Sequence, residues 1–242
     1  MSSLFEEIDR CRTPLGEISL RRRWEPMLQV DVYEAKLDDE FLMSSLFTVA
    51  EVELATLGLA EVTGQDLDVA VAGLGLGYTS RAVLDDHRVR SLHVVEVLGQ
   101  VIEWHQRQLL AFNTELSSDR RCHLVNGDFF ALAAGSSPLV PRGPDRFHAI
   151  LVDIDHSPER LLHPSHAPFY EPEGLRHLVR HLHPGGVFAL WSDDPPNGAF
   201  VAVLDEIFGS AEAHVVPFAN PYTDDSSANS VYVATLGEAH AR

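Results

Sequence analysis

Residues 147–170 read FHAILVDIDHSPERLLHPSHAPFY: an apolar run closes on two carboxylates, Asp153 and Asp155, with His156 directly after them and a proline- and histidine-rich loop beyond. A carboxylate at the end of a buried strand can take a proton from an attacking nucleophile or hold a cationic group, and a histidine beside it titrates near neutrality. A second acidic pair, Asp193 and Asp194, closes a later apolar run in WSDDPPN; its plain alternative is a strand stop and a turn. Upstream, DVAVAGLGLGYTSRAVL sets Gly73, Gly75 and Gly77 between an apolar run and a helix-patterned segment. Glycines there let the backbone turn tightly and approach a ligand at the positive end of a helix dipole. Glu96 closes the next apolar run, 19 residues after Gly77, and Asp128 in VNGDFF follows the one after that. At those places a carboxylate meets ribose hydroxyls and then an adenine edge. The same residues can also be read as turn glycines and helix-starting acids. Their recurrence at successive strand ends favours a nucleotide pocket.

These side chains need a scaffold, and the pattern supplies one. From residue 65 to 235 the runs DVAVAG, SLHVVEV, CHLVNGD, HAILVDID, GGVFALWSDD, AHVVPFAN and SVYVATL are apolar and rich in β-branched residues. Segments of helical spacing separate the first five, among them QVIEWHQRQLLAFN and PEGLRHLVRHL. Continuous apolar strands alternating with helices mean a parallel sheet covered on both faces. The last two runs are too close for a helical crossover and should pair antiparallel at one edge. The expectation is an α/β fold with a seven-stranded, doubly wound, Rossmann-like sheet. Before it, GEISLRRR and MLQVDVYEAKL alternate with period two and predict a small β-hairpin or meander. SLFTVAEVELATLGLA, residues 45–60, has apolar residues at helical spacing and should cover the sheet. The chain therefore divides at 1–44, a small β unit, and 45–242, the nucleotide-binding unit.

Composition narrows the partners. With 45% apolar and 22% charged residues the chain is an ordinary globular protein. A net charge of −18 argues against nucleic acid and anionic membranes, whose phosphates need a basic face, and suits a cationic substrate. Cys11 and Cys122 form no disulfide framework or metal motif, and without a leader or an apolar span a cytoplasmic location is expected. His163 and His166 stand three apart, and His177, His181 and His183 lie on or just past a predicted helix; no cysteine or second acidic cluster completes a zinc motif, so no metal is expected. A dinucleotide site wants a third glycine where Tyr78 stands, which disfavours NAD.

Taken in order, DEFLMSSLF, GLGLGYTSRAVL, VVEV, GDFF, ILVDIDHSP, FY and PGG resemble the spermidine synthase family, the polyamine aminopropyltransferases, across nearly the whole chain. The resemblance implies a small β domain on a sheet of the S-adenosylmethionine-dependent methyltransferase type, aminopropyl transfer from decarboxylated S-adenosylmethionine to a small-molecule amine, no metal, and a homodimer. It gives the ribose to Glu96, the adenine to Asp128 and the proton transfer to Asp153, with Asp155, Asp193 and His156 about the amine. The chain departs from the family where an aspartate of the glycine loop is Leu76, where a tyrosine–histidine/glutamine–glutamate cluster is Met43, Ser44 and Ser45, and where a D-S-x-D-P loop is DIDHSP. Two alternatives stand beside this reading. One is a methyltransferase using intact S-adenosylmethionine on a small molecule, which the loss at Leu76 favours. The other is a catalytically silent nucleotide-binding protein of the same fold.

Overall fold

The computed structural model describes residues 5–110, 115–223, 225–237 and 240. Its strands form two sheets. The first is an antiparallel meander of β1 (Phe5–Thr13), β2 (Gly16–Glu25), β3 (Val30–Leu37) and β4 (Glu40–Ser44). Sequence pattern identified β2 and β3 but not their outer neighbours. In β1 the register shifts between Glu7 and Asp9, so the inward residues Ile8 and Cys11 stand three apart and break the period-two signal. β4 is only five residues long, and a second register shift lies opposite it in β3.

Then come α1 (Val49–Ala60), β5 (Leu67–Ala72), α2 (Tyr78–Asp85), β6 (Val89–Glu96), α3 (Gly99–Gln106), β7 (Cys122–Asn126), α4 (Phe129–Ala134), β8 (Phe147–Val152), α5 (Ala167–Tyr170), α6 (Pro172–Val179), β9 (Leu182–Ser192), α7 (Gly198–Phe208), β10 (Gly209–Asn220) and β11 (Asp225–Leu236). The second sheet runs β10-β11-β9-β8-β5-β6-β7. The five strands from β9 to β7 are parallel, and β11 lies antiparallel between β9 and β10. This is the doubly wound α/β sheet that the sequence predicts, with the antiparallel pair at its edge.

Every residue of β5 is buried, as a strand covered on both faces requires. Val69 and Val71 face the layer of α1, α2 and α3, together with Leu151, Ala189 and Val231. Ala70 and Ala72 face the layer of α4 to α7, together with Ile150, Phe188 and Tyr232. Chain order reverses between β5 and β8, so the crevice for a ligand lies past their carboxyl ends.

Hydrogen bonds from β1 and β2 of the first sheet tie it to the second. Asp9 accepts hydrogen bonds from Gln100 (2.6 Å) and from the indole of Trp104 (2.8 Å) on α3. Glu25 accepts from Tyr222 (2.6 Å) at the β10–β11 turn and pairs with Arg23. Among the described residues no helix is long and apolar enough to cross a membrane.

Candidate functional site

The glycine loop joins β5 to α2. Gly73, Gly75 and Gly77 all have positive φ, which a residue with a side chain adopts only at a cost. At Gly73 a methyl group would overlap the Asp153 carbonyl oxygen, and at Gly75 it would press on the Met43 sulfur. The loop is thus packed against the Asp153 backbone and the Met43 side chain at these two positions. Beneath it Glu96 is buried at the end of β6, accepting the N–H groups of Leu74 (2.9 Å) and Leu98 (2.8 Å). Burial pushes its carboxyl up, and the backbone donors pull it back. His105, buried on α3, donates from Nε2 to the Gly75 carbonyl at 2.9 Å; burial lowers its pKa, which keeps it neutral in that role.

Asp153 follows β8 at the switch point. Its backbone N–H donates to Ala72 and its carboxylate accepts from the hydroxyl of Thr79 at 2.8 Å, near the start of α2. Burial pushes the carboxyl up to about 6, against the pull of the Thr79 hydrogen bond. Its neighbour across the cleft is Glu51 of α1, whose pKa rises to about 8, first through burial and then through the Asp153 charge. Tyr78 completes the group and is raised to about 12 by burial and by Glu51. Two such carboxyls resist losing both protons, since the charge of one raises the cost of the other.

Asp155, only two residues on, has a different environment. It is 1% exposed and accepts from Leu162 N–H (2.7 Å), His166 Nδ1 (2.9 Å) and the Tyr170 hydroxyl (2.9 Å). His166 stacks on Phe130 with ring centroids 4.0 Å apart. This network folds the loop of residues 156–166 back onto α4 and α5 and leaves no free carboxylate oxygen. His156 is held by Glu40 of β4 at 3.2 Å, and its carbonyl accepts the Asp193 N–H.

Asp193 is taken up as well. One oxygen meets Arg160 (2.7 Å) and the other Asn229 (2.9 Å). The same guanidinium grips both oxygens of Asp194. Asp128 is exposed at the start of α4 and caps it by accepting the Ala131 N–H. The later histidines are dispersed: His163 contacts Ser165, His177 pairs with Glu173, His181 is buried, and His183 lies beside His148. Among the described residues no group of three or more His, Cys, Asp or Glu is arranged to hold a metal ion.

The positions that depart from the family pattern serve the backbone or the core. Met43 lies over Gly75, Ser44 accepts from Leu46 N–H, and Ser45 accepts from Tyr33 N–H. Leu76 is 3% exposed within the core of the α1 layer. Sequence reasoning missed Glu51, Thr79, His105 and Arg160. A signal existed for Glu51: with Leu54, Ala55, Gly58 and Leu59 it shares the buried stripe of α1, where an acid is out of place.

No family model matches the chain. Polyamine aminopropyltransferase 2 of Pseudomonas aeruginosa is 26% identical over 210 residues, which are 80% of this chain and 56% of that protein. This chain therefore spans little more than half the length of that curated relative. Spermidine synthase from Thermotoga maritima superposes with a TM-score of 0.71 at 19% identity, over 96% of this chain and 73% of that one. A spermidine synthase bound to the transition-state analogue AdoDATO gives 0.72 at 20% identity, over 96% and 74%. These two likenesses concern the fold, and the first concerns the sequence. The chain is thus similar in sequence to a polyamine aminopropyltransferase and in fold to spermidine synthases.

Proposed function

We propose that the protein is a spermidine synthase-like transferase that moves an aminopropyl group from decarboxylated S-adenosylmethionine to an amine. One observation carries the reading: at the switch point the Asp153 carboxyl is held by a single side-chain hydroxyl and faces a second carboxyl, Glu51. The positive-φ glycine turn lets backbone N–H groups approach a nucleotide, and Glu96, at the end of β6, is assigned to the ribose hydroxyls. Asp128, exposed at the next strand end, is assigned to the adenine edge.

The bound donor supplies a carbon beside a sulfonium, whose C–S electron pair returns to sulfur on displacement. Asp153 accepts the proton that the attacking amine loses as its lone pair forms the new C–N bond. Glu51 provides a second acidic contact for cationic nitrogen, from α1 instead of the glycine loop. Asp155 is assigned a positioning role, since its oxygens are all engaged. We also infer the division at 1–44 and 45–242. A homodimer through the first sheet is inferred from exposed Phe5, Trp24, Met27 and Phe41, and sedimentation would test it.

The methyltransferase reading keeps one observation in its favour: Leu76 brings no carboxylate to the loop. Calorimetry separates the two. Preference for decarboxylated S-adenosylmethionine and methylthioadenosine supports aminopropyl transfer; preference for the intact nucleotide and S-adenosylhomocysteine moves the protein to methyl transfer. Failure of all four to bind removes both.

A further inference from the structure

A cavity of about 450 Å³ lies between the end of β9 and the β10–β11 hairpin, walled by Phe47, Trp191 and Phe218 and by the polar groups Asp193, Asn220, Ser227 and Asn229. It adjoins the carboxyl pair. Val152 pairs with Leu190, so Asp153 and Trp191 are the next residues on neighbouring strands, and Trp191 packs with the α1 layer. Phe47 lies two residues before the start of α1, the helix that carries Glu51. The rings of Phe47 and Phe218 are 5.5 Å apart, an aromatic pair on one side of the cavity.

What this wall lacks is an available acid. The far ammonium of a linear diamine needs a carboxylate, and the one in the lining, Asp193, is already paired with Arg160 and Asn229. Both oxygens of Asp193 and both of Asp194 already have donors, with Arg160 serving the two residues. Glu25, at the hairpin tip, is held by Tyr222 and Arg23.

We propose that this cavity receives the body of the acceptor, and that the acceptor is an arylalkylamine: one amine directed at Asp153 and Glu51, a flat apolar body against Phe47, Trp191 and Phe218, and no second cationic end. This rests on the transferase reading of Asp153 and specifies its substrate class.

The test is calorimetric binding of phenethylamine and tyramine against putrescine and cadaverine, with and without saturating methylthioadenosine. The arylalkylamines should bind about tenfold more tightly than the diamines, a difference of one aromatic stacking contact. Trp191→Ala and, separately, Phe47→Ala should weaken the aryl class selectively. Arg160→Gln should tighten diamine binding about tenfold by freeing the rim carboxylates. Tighter diamine binding by the unmodified protein, equal weakening of both classes by the two aromatic variants, or no amine binding at all overturns the proposal. Turnover of the decarboxylated nucleotide with diamines alone would sink this inference and leave the transferase reading standing. Preferential aryl binding without any affinity for the decarboxylated nucleotide would do the reverse.

Discussion

Asp153 and Asp155 differ by two positions and lie in opposite worlds. On the α1 side, Asp153 has one hydroxyl partner and a neighbouring carboxyl that raises the cost of its charge. On the α4–α5 side, Asp155 receives a backbone amide, an imidazole and a phenol and is sealed from solvent. Identical side chains are separated by the number of fixed donors aimed at them. An acid with its donors complete is a fastening, and an acid with one donor and a like-charged neighbour can exchange a proton.

The contrast can be broken by substitution. Asp153→Asn should lower turnover by roughly 10²- to 10⁴-fold, the usual weight of a general base, with nucleotide affinity unchanged by calorimetry. An active variant would end the role given to Asp153. Asp155→Ala should act on stability instead, losing about 3 kcal/mol in urea unfolding because three buried donors are stranded at once. If it folds as firmly as the parent and loses turnover alone, the two acids have been assigned the wrong way round.

A pH series sharpens the comparison further. Asp153 and Glu51 hold their protons more tightly in the folded protein, at about 6 and about 8, than in the unfolded chain, whose ordinary values are 3.8 and 4.5. Between those limits the folded state carries more bound protons, so the pair's contribution to stability is complete below the unfolded values and is lost as pH rises through about 6 to 8. The free protein's Tm should therefore decline over that window. Glu51→Gln should flatten the decline and shift the acidic limb of kcat/KM downward. An unaltered profile would detach Glu51 from Asp153. The smallest effect expected is that of Asp128→Ala, a lost helix cap of about 1 kcal/mol accompanied by weaker nucleotide binding. A stability change with no change in nucleotide affinity would reduce Asp128 to a cap.

The main sheet was legible because strands buried on both faces leave unbroken apolar runs, and the glycine loop because turns of positive φ select glycine. β1 was hidden by its bulge, which spaces Ile8 and Cys11 by three. The site was legible only as far as strand ends reach. Asp153 and Asp155 look alike in DID because the groups that distinguish them, Leu162 and His166 from the loop and Tyr170 from the four-residue α5, arrive from a segment without periodicity. Arg160 is similarly silent in sequence, since its two acidic partners stand past another strand. Glu51 left a trace, an acid on an apolar helical stripe, that a search confined to strand ends passes over.

The Asp153 carbonyl occupies the space that any side chain at Gly73 would need. In evolutionary terms the two positions therefore behave as one inherited character. A descendant of this chain can alter residues 43 to 45 or 76 one at a time and drift toward new acceptors. It cannot acquire a side chain at 73 without first rebuilding the backbone that presents residue 153, so the glycine turn and Asp153 are passed on, or lost, together.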